Sequence, residues 1–455
     1  MHHPVCFRAL LLAVALGTSP AGATGTTRLP VDHVPSGFPV GFSLLTTGGR
    51  QHVAYYDADH RMTVASRTLG SKTWTYTRLP SKVGWDSHNY LTMVADDDGH
   101  LHLAGNMHCV PLIYFRTTRP GDASSLERVP AMVGPEEQRC TYPKFMRGPR
   151  NELIFHYRTG GSGQGNEIYN VYDHQTRSWS RLLDTPLTDG RGEMNAYMHG
   201  PVRGPDGFFH LVWVWRDTPD CATNHDLSHA RSRDLRAWET IGGEPVRLPL
   251  TIADERLIVD PVPPGGGIIN GCARIGFDSR NQPVITYHKY DANGRTQAFA
   301  ARFADGEWSS RKLSDWNYAW KFSGGGSIGF EIRLGSPRSI GHGRMSLGFS
   351  HKTHGKGAIL FDETTLVPIA ADDPRRTLPR PPAPPSPRLP PGLGNPISTF
   401  PGMTVMWAGD TGGTASGVLH RLRWETLPRN RDRRRPGDHP APSLLELIEV
   451  HPPIP

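Results

Sequence analysis

Apolar and polar residues alternate in short runs along almost the whole chain, and the runs are closed by Gly, Asp, Asn and Pro. A period of two places successive side chains on opposite faces of a strand, whereas the spacing of an amphipathic helix is nearly absent before the last few residues. The segment from Val40 to Pro80 shows the unit: FSLLTT, HVAYYD, MTVASR and WTYTRL read as four strands separated by GGR, ADHR and LGSK. That is one four-stranded antiparallel meander.

The unit recurs. A turn followed by an apolar strand is found at DDGHLHLAG from Asp97, PRNELIFHYR from Pro149, PDGFFHLVWVW from Pro205 and SRNQPVITYHK from Ser279. An outer strand carrying a tryptophan recurs at Trp74, Trp179, Trp238 and Trp308, the first interval being about twice the others. Repeated four-stranded sheets at such spacing are the signature of a β-propeller. The expected fold is therefore all-β, a β-propeller of four-stranded antiparallel blades, with a pair of β-sandwiches as the alternative. SRDLRAW (Ser232 to Trp238) is a degenerate relative of the Asp-box of sialidase-type propellers.

Other segments break the pattern. Residues 1–23 carry Arg8, an apolar run from Ala9 to Leu16 and a small-residue exit, which predicts a signal peptide and a secreted or periplasmic protein. Cys6 precedes the apolar run, unlike a lipoprotein cysteine. Residues 24–376 form the expected propeller, and 377–401, with LPRPPAPPSPRLPPGLGNP, a Pro-rich linker or insertion that cannot form packed strands. Residues 402–428 read as closing strands beside the N-terminal strand, and 429–455 as a loosely ordered basic, Pro-rich tail. The formal net charge is +7, but much of the excess sits in RNRDRRRP (Arg429 to Pro436), so charge says little about partners.

The densest chemistry is WDSHNYLTMVADDDGHLHLAGNMHC, from Trp85 to Cys109. His88 and His108 fall at the two ends of one predicted hairpin and can reach one face, whereas His100 and His102 lie nearer its turn and read as structural. Asn89 and Asn106 offer short amides suited to sugar hydroxyls. A second cluster, Cys221, His225 and His229 with Cys272 further on, is a candidate structural zinc set, with a Cys221–Cys272 disulfide as the competing use. DADH and ADDDGH are candidate calcium loops, although turn chemistry also accounts for them.

WDSHNYLTMVADDDGHLHLAGNMHC, TYPKF (Thr141 to Phe145) and FHYRTGGSGQGNE (Phe155 to Glu167) resemble the BNR-4 type of seven-bladed propeller, which contains ulvan lyases and related rhamnosyl-glucuronate lyases. The likeness continues through NHDLSHARSRD, NGCARIGFD, PVITYHKYD and LRWETLPRNRD. The resemblance implies seven blades and β-elimination at a uronic acid. It places the histidine pair on His88 and His108, the tyrosine on Tyr142 and the carboxylate-binding arginine on Arg158. Tyr197 and His199, in NAYMHG, are expected at the same mouth by position. An arginine fork would neutralise the uronate carboxylate and stabilise the enolate-like intermediate. A neutral imidazole would take the C5 proton, and a tyrosine would protonate the departing oxygen. His108 is assigned as base, Tyr142 as acid and His88 as positioning residue or alternate base.

The chemistry expected on this basis requires no cofactor. The expected partner is an acidic polysaccharide, with no nucleic acid and no membrane, and the chain is expected to be a monomer. Two rival functions share the scaffold: an α-L-rhamnosidase-type glycoside hydrolase and a non-catalytic carbohydrate-binding propeller. A hydrolase needs a carboxyl pair flanking the bond, and none stands out beside the histidines except Asp86.

Overall fold

The computed structural model describes residues 25–379, 389–413 and 417–451. The expected signal peptide, 1–23, lies outside the described residues, as does residue span 380–388 of the Pro-rich segment. Every run of the first predicted unit is a strand: Ser43–Thr47, Arg50–Tyr56, Arg61–Thr68 and Thr75–Lys82. They pair antiparallel in sequence order. The two middle strands are buried on both faces, whereas the fourth is largely exposed. A sheet covered on both faces needs a neighbour on each side. One apolar cluster supplies this by joining Val53, Tyr55 and Val64 to Leu91 and Leu103 on one side and to Leu422 and Leu447 on the other.

Further antiparallel units follow in chain order. Leu91–Ala95, Leu101–Gly105, Tyr114–Thr117 and Leu126–Arg128 form the second. The third, Cys140–Arg147 to Ser178–Arg181, gains the short strand His108–Val110 along its inner edge. The fourth runs from Asn195–Arg203 through Phe209–Arg216 and Asn224–Ser232 to Trp238–Glu239 and Pro245–Val246. Next comes an eight-stranded sheet made of two meanders joined by one parallel bridge, Phe277 to Arg338. Gly276 permits that junction, since a Cβ there would meet the Pro337 carbonyl oxygen at 1.9 Å.

The recurring tryptophans sit where the repeat predicts, on or beside outer strands. Trp74, Trp179 and Trp238 are buried, and each indole N–H is satisfied: by the Pro30 carbonyl at 3.0 Å, the Tyr114 hydroxyl at 3.2 Å and the Leu235 carbonyl at 3.3 Å. The degenerate Asp-box is a turn device. Ser232 Oγ accepts the Leu235 N–H, and Asp234 accepts those of Arg236 and Ala237, each at 2.8 Å.

The last sheet joins the two ends of the described chain. Thr404–Gly409 and Leu419–Thr426 are strands as expected, but Ser443–Val450, read from sequence as part of a loose tail, is a strand as well. It lies between Leu419–Thr426 and the N-terminal strand Thr26–Val34, pairing antiparallel with both. Leu445, Leu447, Ile448 and Val450 are fully buried, which is why this short apolar run orders. Among the described residues no helix is long and apolar enough to cross a membrane.

Candidate active site

The second unit's first hairpin, Leu91–Ala95 with Leu101–Gly105, carries His88 just before it and His108 just after it. Leaving the hairpin, the chain crosses to the third sheet, where His108 pairs with Thr141. Three non-glycine residues around that crossing have left-handed backbones: Asn106 (φ 58°), Cys109 (φ 57°) and Tyr142 (φ 58°). Such conformations cost about 1–3 kcal/mol each and gather where side chains must be aimed. Tyr142 also sits at a register shift between Thr141 and Lys144.

The result is a pair of imidazoles bridged by one carboxylate. Asp86 Oδ1 lies 2.7 Å from His88 Nδ1 and accepts the His88 backbone N–H at 2.8 Å, while Asp86 Oδ2 meets His108 Nδ1. The two rings are 4.2 Å apart between centroids. A carboxylate only accepts, so each ring presents an Nδ1–H to Asp86. Burial works to raise the Asp86 pKa, but the hydrogen bonds from His108 and His88 outweigh it and hold the carboxyl well below its usual range. His88 Nε2 is 3.3 Å from Ser327 Oγ, whereas His108 Nε2 has no hydrogen-bond partner among the described residues. His108 is also the more exposed side chain, 29% against 18%.

Tyr142 stands 5.7 Å from the His88 ring and 6.3 Å from the Tyr197 ring. Burial, reinforced by Tyr197, pushes its hydroxyl pKa up, so it is a protonated phenol at neutral pH. Arg158 is only 1% exposed and lies behind these rings, 5.0 Å from the Tyr142 centroid and 6.0 Å from that of Tyr197. Its guanidinium donates to Thr141 Oγ1 at 3.1 Å and to the Tyr197 hydroxyl at 3.5 Å.

These groups border a cavity of about 690 Å³. His88, Tyr142, Tyr197 and His199 line it; Arg158, Asn89, Asn106 and His108 do not, although the more exposed His108 ring lies only 4.2 Å from that of His88. Only one of the two asparagine side chains has partners among the described residues. Asn106 donates to Ser81 Oγ at 2.8 Å and the Lys82 carbonyl at 2.9 Å. Asn89 has its side-chain oxygen buried, and its backbone carbonyl accepts from the Tyr56 hydroxyl. His100 and His102 are structural: the first reaches the Thr117 carbonyl at 2.8 Å, the second the Tyr114 hydroxyl at 2.7 Å and Asp96 at 3.2 Å.

Several cavity residues come from distant segments that carry no local motif. Arg274, Arg333 and Arg429 form a cationic wall. The Arg333 pKa is lowered by desolvation and then by the like charges of Arg429 and Arg274. Lys144, His156 and Glu167 also contribute. His199 is lowered to about 4 by burial, then by Arg274 and Lys144, and is therefore neutral at neutral pH. Asp432, from the region read as tail, closes one side. It accepts the Ser87 N–H (3.1 Å) and hydroxyl (2.7 Å) and the Ser327 N–H (2.6 Å), and lies 3.4 Å from His88 Nδ1.

The expected zinc set is not brought together. His225 places its two ring nitrogens on Asp217 and Asp226, each at 2.8 Å, and His229 Nε2 faces His210 Nδ1 at 3.1 Å. Cys221 and Cys272 are buried free thiols, so the competing disulfide is not formed. In the acidic loops, Asp57 and Asp96 spend Oδ1 on turn N–H groups. Among the described residues, only Asp86, His88 and His108 bring three potential ligand atoms within 4.8 Å of one another. Their short N–O contacts read as hydrogen bonds rather than as the edges of a coordination sphere.

Ulvan lyases, long isoform, of Alteromonas sp. (strain LOR) and Pseudoalteromonas sp. (strain PLSV) are 26% and 25% identical to the chain over 132 residues. Each match takes in 27% of this chain and spans 13% of the length of those relatives. Among solved structures, the polysaccharide lyase Uly1 aligns with a TM-score of 0.56 at 13% identity, over 91% of this chain and 90% of that one. A PL25 ulvan lyase bound to -[GlcA(1-4)Rha3S]- aligns with a TM-score of 0.54 at 13% identity, over 88% and 92%. These likenesses show a shared all-β, propeller-like fold. The BNR repeat-containing family (BNR_4) matches residues 50–316, more than half of the sequence, and the chain belongs to that family.

Proposed function

We propose that the protein is an exported polysaccharide lyase that cleaves a uronic-acid polymer of the ulvan or rhamnose–glucuronate type by β-elimination. The observation that carries this reading is the Asp86-bridged histidine pair beside a protonated Tyr142, at a cavity walled by arginines. Six sheets, one of them two meanders joined by a single bridge, fit seven blades of a propeller with the cavity at its mouth.

In the reaction, His108 Nε2 takes the C5 proton of the uronate. The C5–H electron pair becomes the C4–C5 double bond, the C4–O4 bond breaks and Tyr142 protonates the departing oxygen. The base and the acid are then separate groups on neighbouring elements, and burial keeps the acid, Tyr142, protonated. A uronate carboxylate makes its C5 proton hard to remove until its charge is neutralised. Arg274, Arg333 and Arg429 are better placed for that than Arg158, because they line the cavity whereas Arg158 lies behind the tyrosines. Arg158 then supports Tyr142 and Tyr197 from beneath.

The hydrolase alternative is disfavoured by the lining, in which Glu167 is the single carboxylate among the described residues. The test is ultraviolet absorbance during incubation with ulvan, rhamnosyl-glucuronate gums, pectin and alginate. Rising absorbance on one polymer, abolished in His108→Ala, is the expected result. New reducing ends without absorbance would mean hydrolysis, and binding without either would mean a lectin-like protein.

A further inference from the structure

Among the described residues, Asp86 is the one group hydrogen-bonded to both imidazoles, and it uses a different oxygen for each. Its oxygens differ in load: Oδ1 also accepts the His88 backbone N–H, whereas Oδ2 serves His108 alone. Around the pair, Asp432 and Ser327 contact His88, and Tyr142 faces it. Among the described residues, His108 has no second polar contact of this kind to hold its ring.

We propose that Asp86 is a positioning residue, which fixes both histidines as Nδ1–H tautomers and so keeps His108 Nε2 open as the base. An imidazole held the other way round would offer its proton to the substrate and have no lone pair there for C5. This inference rests on the lyase reading for its kinetic consequence, but not for its structural one.

The discriminating variant is Asp86→Asn, which keeps size and shape while replacing one acceptor by a donor. The amide oxygen stays on the His88 side, where it accepts two N–H groups, and the NH2 then faces His108. That ring must answer with a bare Nδ1 and carry its proton on Nε2. Nitrogen-15 spectra of histidine-labelled protein, recorded without substrate, should show both rings as Nδ1–H in the wild type. In the variant His108 alone should be inverted to Nε2–H. With the best polymer of the panel, kcat should fall by about 100-fold or more, the range for loss of a general base, while KM stays within about twofold.

A purely structural role would lower the melting temperature without inverting a tautomer, and that outcome overturns the proposal. So does a wild-type spectrum with either ring as Nε2–H, a measurement that holds even if the variant fails to fold. Stoichiometric zinc in the purified protein, with metal-shifted ring nitrogens, would also overturn it. If no polymer is eliminated, the lyase reading fails by itself, and the wild-type spectrum still decides the role of Asp86.

Discussion

Asp432 and Ser87 are 345 positions apart in the chain and are joined by two hydrogen bonds to the same carboxylate oxygen. The other oxygen takes the Ser327 N–H, so one side chain ties two walls of the cavity beside His88. Asp432→Ala leaves the half-buried Ser87 N–H and the buried Ser327 N–H without their acceptor, which costs about 1–3 kcal/mol. We expect a lower melting temperature together with at least a tenfold loss of elimination rate. A full rate at unchanged stability would show that the tie is dispensable.

Tyr142→Phe removes a hydroxyl that makes no hydrogen bond among the described residues, and it keeps the ring contacts with His88, Tyr197 and Arg158. Stability should hold while kcat falls roughly 10²- to 10⁴-fold, the usual worth of a positioned acid. Steady-state kinetics with thermal melts checks both halves.

Arg333→Ala and Arg429→Ala thin the cationic wall without touching the histidine pair. Each should lower kcat, because the reacting carboxylate loses part of its neutralisation, and should also raise KM for an acidic polymer several-fold and flatten its dependence on ionic strength. Initial rates across a salt series give the answer. An unchanged kcat with a raised KM would mean that these arginines bind the polymer without neutralising the reacting carboxylate.

His52 and His288 are buried, and burial lowers each to about 4, well below the 6.5 of a free imidazole. A histidine lowered by folding is protonated more readily in the unfolded chain. Its contribution is therefore fully present above pH 6.5 and is lost as the pH falls toward 4. Denaturant midpoints should drop across that window, and His288→Gln should show a smaller drop than the wild type. A midpoint that stayed flat between pH 6.5 and 4.5 would contradict the assignment.

Leu447 is fully buried in the strand Ser443–Val450. Leu447→Ala should cost about 2–5 kcal/mol, as core truncations do. Chemical denaturation would measure it. A cost below about 0.5 kcal/mol would mean that the strand is a peripheral addition.

The strand units were legible because alternation and turn residues are local signals. The first meander was readable run by run, and the four tryptophans marked the outer strands correctly. LLELIEV misled because its glutamates and the arginine-rich run before it look like solvated chain. In the fold Glu446 meets Arg28 and Arg423, and Glu449 meets Arg67, so these charges are paired by other strands. At the site, the histidines were visible because one hairpin holds both. Arg274, Ser327, Arg333, Arg429 and Asp432 were not, since the sheets that bring them together are far apart in sequence and a lone arginine or serine carries no pattern. The Asn106 amide, expected to face a sugar, instead ties down Ser81 and the Lys82 carbonyl, and nothing local in the sequence marks that contact.

The last sheet has a consequence for how the chain can be rearranged. Its N-terminal strand is held by Ser443–Val450, and the His451 N–H reaches the Gly25 carbonyl at 3.0 Å. Residues 25 and 451 are therefore neighbours, close enough for a few glycines and serines to join them. The polypeptide could then be opened at the exposed turn around Gly70, where an added side chain meets nothing within 4 Å. Such a circular permutant would keep every sheet and the cavity intact, and the clasp between the two ends would become an ordinary loop.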